Sequence, residues 1–118
     1  MANNNSKRLK KDNGLKKEIR DYIRVEVTTP NGGRYRIWPT IKLECCKTGN
    51  SAKLLRIRDL FPFPEITRTE REHTFFLEFE KLPKDCDCFN IIEEIPQPGG
   101  YMKFLISRNE ADVYFVEV

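Results

Sequence analysis

Residues 74–94 read TFFLEFEKLPKDCDCFNIIEE, and the fold class follows from their pattern. Successive side chains of an extended chain point to opposite faces, so Phe75, Leu77 and Phe79 fall on one side of a strand and Glu78 and Glu80 on the other. This alternation predicts a half-buried strand whose apolar side faces a core and whose glutamates face solvent. Leu82-Pro83-Lys84-Asp85 then turns the chain, and Phe89, Ile91 and Ile92 predict a second short strand. Phe75, Leu77, Phe79 and Phe89 are the expected packing residues of the block.

The same period recurs on either side. Ile23, Val25 and Val27 alternate with Arg24 and Glu26, and Thr29-Pro30-Asn31-Gly32-Gly33 supplies turn residues that close a hairpin onto the returning run Arg34–Leu43. Pro39 lacks an N–H, which places that run at an edge or at a bulge beside Trp38. Leu55 and Ile57 alternate with Arg56 and Arg58 in a further strand over 52–60. The two prolines of Phe61-Pro62-Phe63-Pro64-Glu65 forbid its continuation, and the segment is expected to cap the core with its phenylalanines. After the turn at Pro96–Gly100 come strands over 101–107 and 112–118. The last of these is apolar on both parities, so it is either covered on both faces or open to pair with another chain.

About seven strands, with turn signals roughly every ten residues and no long helical pattern, predict an all-β, antiparallel β-sandwich over residues 21–118. A small barrel is the main alternative. The 118 residues suit a single domain, large enough to bury roughly two-thirds of the surface its unfolded chain exposes. No run approaches the roughly 20 apolar residues of a membrane-spanning helix, so no membrane partner is expected.

The net charge of +3 conceals an asymmetry: residues 1–24 hold eight basic and three acidic residues, and the remainder is mildly acidic. Residues 1–20 read as a flexible basic arm, with a short amphipathic helix over 14–22 marked by Leu15, Ile19 and Tyr22. Lys7, Arg8, Lys10, Lys11, Lys16, Lys17 and Arg20 can neutralise phosphates there. Arg34, Arg36, Arg56 and Arg58 extend the patch if neighbouring strands present them together, and Tyr35 and Trp38 offer rings on which bases stack. The basic start has no apolar stretch behind it to act as a secretory signal, so the expected setting is the cytoplasm, with reduced thiols.

The strand, corner and strand at Phe75-Phe-Leu-Glu-Phe79, Leu82-Pro-Lys84 and Phe89-Asn-Ile-Ile-Glu93 resemble those of immunoglobulin-like β-sandwich domains of uncharacterised Bacteroidota proteins. The resemblance covers about a fifth of the chain. It implies an Ig-like fold and a bacterial origin, and it transfers no functional residue.

Residues that could carry chemistry are few. His73 is the only histidine, and it stands among charged residues at the start of the central strand. Nucleophilic catalysis by a cysteine would need that imidazole beside the thiol and a third group to orient it, so His73 is expected to be an exposed structural residue and no catalytic residue is assigned. Cys45-Cys46 and Cys86-Asp87-Cys88 supply the four thiols a structural zinc site uses. Adjacent residues of an extended segment face opposite ways, however, and neither pair has the usual two- to four-residue loop between ligands, so no metal and no cofactor is expected. The sequence therefore predicts a non-catalytic module that binds a protein partner, a second copy of itself through an edge strand included. Nucleic-acid binding by the basic arm is the alternative.

Overall fold

The computed structural model describes residues 21–118. Nine strands make up these residues, with no helix among them: β1 (Ile23–Thr29), β2 (Gly33–Tyr35), β3 (Ile41–Cys45), β4 (Ser51–Arg58), β5 (Thr67–Thr69), β6 (His73–Phe79), β7 (Cys88–Glu93), β8 (Met102–Ser107) and β9 (Val113–Glu117). Seven of them form one mixed sheet in the order β9-β1-β6-β4-β3-β7-β8, and β2 and β5 form a separate two-stranded ribbon. Among the described residues no helix is long and apolar enough to cross a membrane.

The large sheet curls because β4 belongs to both of its halves. Its first residues pair with β3, Ala52 opposite Leu43, and its last pair with β6, Ile57 opposite Leu77, with a register shift between Leu54 and Arg56. A bulge bends and twists the strand that carries it, so the two wings of the sheet turn toward each other. Phe89 on β7 meets Tyr114 on β9 edge-on, with ring centroids 4.9 Å apart, although four strands separate β7 from β9 in the sheet order. The core lies between the wings. Ile23, Val25, Phe75, Leu77, Phe79 and Tyr114 fill it from one side, and Ile41, Leu43, Ala52, Phe89 and Ile91 from the other. All four packing residues expected from the 74–94 block are buried. Fully burying a side chain of this kind stabilises the fold by roughly 1.5–3 kcal/mol before cavity effects.

Four features depart from the sequence expectations. The sheet is not wholly antiparallel, because β9 pairs with β1 in parallel, Phe115 opposite Glu26. The run 34–43 is two strands in two sheets: β2 pairs with β5, and β3 pairs with β4 and β7, with Pro39 in the turn between them. Hence β1 does not pair with the strand that follows it; its neighbours are β6 and β9. In the 61–65 cap Phe63 packs on Trp38 with centroids 4.5 Å apart, while Phe61 remains exposed. Finally, Glu78 does not face solvent. It is 1% exposed, because Arg56 and Arg58 on the neighbouring strand both bond its carboxylate, Arg58 at 3.1 Å.

Candidate functional site

Charge is handled in opposite ways at the two ends of β9. Asp112 just precedes the strand, with a left-handed φ of 55°, a region that Asp tolerates through local hydrogen bonding. Its amide donates to Asn109 Oδ1 at 2.7 Å, and the Asn109 amide donates to the Tyr114 hydroxyl at 3.0 Å. Tyr114 in turn donates to Asp112 Oδ1 at 2.8 Å. Arg108 grips the carboxylate with two nitrogens at 2.9 and 3.2 Å, and Lys81 Nζ reaches Oδ2 at 2.8 Å. Burial alone would raise the Asp112 carboxyl, but the hydrogen bonds from Arg108, Lys81 and Tyr114 outweigh it and hold the group at about 2. Burial and the bond to Asp112 push the Tyr114 hydroxyl up to about 12. Arg108 Nη1 also donates to the carbonyls of Pro83 and Cys86 at 3.0 and 2.9 Å, so this network ties the β8–β9 loop to the corner after β6.

The other end of β9 meets the two-stranded ribbon. Val118 lines a cavity of about 190 Å³ between the wings together with Val25, Phe75, Leu77, Tyr101, Arg34 and Arg36. Glu93, buried at this site, spends both carboxylate oxygens on backbone donors, the amides of Trp38 at 2.9 Å and Tyr101 at 3.0 Å. Beside it the chain passes so close that a Cβ on Gly100 would meet the Glu93 carbonyl at 2.1 Å. Arg34 stands directly opposite Arg68 across the ribbon. The Arg36 guanidinium lies 5.9 Å from the Trp38 ring centroid and 5.7 Å from that of Phe63. Among the described residues none of these three arginines forms an ion pair.

Of the four domain arginines expected to extend a basic patch, two are without an ion pair among the described residues. Arg34 and Arg36 share the ribbon and its following loop with the unforeseen Arg68, while Arg56 and Arg58, both exposed, share the single carboxylate of Glu78, which offsets one of their two charges. Lys7, Arg8, Lys10, Lys11, Lys16, Lys17, Arg20 and most of the helix expected over 14–22 lie outside the described residues. His73 is half-buried, with Nε2 2.7 Å from the Asp59 carbonyl, and its ring lies 6.4 Å from that of Phe75. The partial burial departs from the exposed position expected for it.

The cysteines are not four reduced thiols. Cys45 and Cys86, both buried, form a disulfide with Cα atoms 5.9 Å apart. Cys46 and Cys88 are free and half-exposed. The expectation that adjacent residues of a strand diverge therefore holds at Cys45 and Cys46, and among the described residues no group of three or more ligating side chains is arranged for a metal ion.

Both edges of the large sheet expose large apolar side chains. On β9 Phe115 is 73% exposed while Tyr114 and Val116 are buried; on β8 Met102, Phe104 and Leu105 are exposed. The β8 edge is irregular: Leu105 has a φ of 62°, and its amide is already bonded to Asn90 Oδ1 at 2.9 Å. Among the described residues the β9 edge, Val113–Glu117, carries no such interruption. Comparison with family models, curated proteins and solved structures finds no match to this chain.

Proposed function

We propose that the protein is a non-catalytic interaction module of Ig-like sandwich type that pairs with a second copy of itself through β9. The single observation that carries this reading is Phe115, a large apolar residue left 73% exposed on an uninterrupted edge strand. The facing wings, joined by the Phe89–Tyr114 contact, support the sandwich reading.

Backbone parity supports a specific register. The Asp112 carbonyl accepts from Arg24 N and Val118 N donates to the Thr28 carbonyl, so residues of that parity bond inward to β1. Val113, Phe115 and Glu117 then turn their amides and carbonyls to the free edge. An antiparallel pair centred on Phe115 sets Phe115 against its counterpart and Val113 against Glu117 of the second copy. This makes an aromatic pair without opposing like charges. A five-residue edge buries less than the roughly 800 Å² per partner of a stable interface, so the dimer is weak. Sedimentation equilibrium of the full chain should show a mass that rises with concentration and returns to that of the monomer in Phe115→Lys. A strictly monomeric mass at high concentration would refute the reading.

A second reading, nucleic-acid binding, is favoured by the ribbon. Like charges placed directly opposite destabilise a strand pair, and Arg34 against Arg68 is such a pair, which a phosphate chain would relieve. Trp38 and Phe63 beside Arg36 offer the stacking partners a single strand needs. Binding of single-stranded RNA that weakens steeply with salt and is lost in Arg34→Gln/Arg68→Gln would establish it. The expected cytoplasmic setting is the part of the sequence reading that the Cys45–Cys86 disulfide weighs against, since such bonds persist mainly in oxidising compartments.

A further inference from the structure

We infer that Cys46 and Cys88 are a thiol–disulfide exchange site, a cross-strand dithiol on the outer face of β3 and β7 that closes into a second disulfide on meeting a small disulfide such as oxidised glutathione. The β3–β7 register pairs Leu43 with Ile91, Glu44 with Asn90 and Cys45 with Phe89. One step further sets Cys46 opposite Cys88, and the ladder does continue: the Cys46 amide donates to the Cys88 carbonyl at 3.0 Å. Beyond it the Lys47 and Asp87 side chains also meet, with Nζ 2.9 Å from Oδ2. Directly opposed residues joined by a backbone hydrogen bond have Cα atoms about 5.5 Å apart, inside the span a disulfide bridges.

Side-chain directions agree. Buried Cys45 and Phe89 point into the core, so Cys46 and Cys88, each one residue away, share the opposite face with Glu44 and Asn90. The Cys46 thiol donates to Asn90 Oδ1 at 3.6 Å. The neighbouring Cys88 side chain, followed by burial, raises the Cys46 thiol above its ordinary value.

The two cysteine pairs differ in access. Cys45–Cys86 is buried and already closes almost the same loop that Cys46–Cys88 would close, so a second bond adds little loop-closure stabilisation. The outer pair is reachable by another molecule, which is what exchange requires. In the reaction one protein thiolate attacks a sulfur of oxidised glutathione, forming a mixed disulfide and expelling one glutathione thiolate. The second protein thiolate then attacks the protein-side sulfur and expels the other. Two electrons pass from the cysteines to glutathione, and the two thiol protons end on the two glutathione molecules released.

Intact-mass analysis of the full chain after equilibration with oxidised glutathione, followed by a maleimide, tests this. The wild type should carry neither glutathione nor maleimide and weigh four hydrogens less than the fully reduced chain. Cys46→Ser and Cys88→Ser should each hold one glutathione or maleimide, and Cys46→Ser/Cys88→Ser none. Two adducts on the wild type would show that the thiols do not reach each other and would overturn the inference, as would a single-serine variant that carries no adduct, since its remaining cysteine would then be inaccessible or paired elsewhere.

Discussion

At the start of β9 three donors, Arg108, Lys81 and Tyr114, converge on the single carboxylate of Asp112, whereas on the ribbon beyond its finish Arg34 and Arg68 oppose each other and, among the described residues, neither forms an ion pair. The first arrangement satisfies each buried group and closes one end of the sheet. The second leaves cations on an exposed ribbon, where they are a small cost to the fold and an attraction for an anion. Stability should therefore depend on the paired end and binding on the unpaired one.

Asp112→Ala should have the largest effect. It strands Arg108, Lys81 and Tyr114 and places alanine at a left-handed φ, so a loss of about 3 kcal/mol is expected in urea unfolding. Asp112→Asn, which tolerates that backbone but lacks the charge, should lose less; equal losses would mean that the charge and not the backbone matters.

Acid should expose the same network. With the carboxyl held at about 2 when folded against an ordinary 3.8, the stabilisation is complete above pH 4 and is lost as pH falls through 2. It amounts to up to about 2 kcal/mol, measurable as a falling unfolding midpoint that Asp112→Asn lacks. The Tyr114 hydroxyl, raised to about 12, gives the mirror case: its share is present below pH 10 and is lost toward pH 12.

At the unpaired end Arg34→Glu converts a repulsive cross-strand pair into an attractive one. It should stabilise the chain by about 0.5 kcal/mol while weakening RNA binding. A loss of stability would break the contrast between the two ends. Phe115→Lys should move monomer stability least, by less than about 0.5 kcal/mol, because the side chain is solvated; its effect belongs to the association constant.

Much of the fold was legible because apolar periodicity is a local signal. Phe75, Leu77, Phe79 and Phe89 are buried where alternation placed them, and the terminal strand, apolar on both parities, is an edge with one face covered. The break at Pro39 was also readable, but its consequence was not: which sheet each fragment joins depends on neighbours far along the chain. Glu78 was misread for the same reason. Alternation says only that it lies opposite the core, while its burial follows from Arg56 standing opposite it on β4, a fact of register between strands.

The sequence by itself determined the all-β class, the burial of Phe75, Leu77, Phe79 and Phe89, and the divergence of Cys45 and Cys46. These depend on side-chain alternation and residue type, which act over a few residues. Tertiary structure alone decided the parallel pairing of β9 with β1, the curl at β4, the Cys45–Cys86 bond and the facing of Cys46 with Cys88. Each of these brings together residues far apart in the chain, and no local pattern encodes that proximity; it emerges when distant apolar faces bury one another and the backbone between them follows.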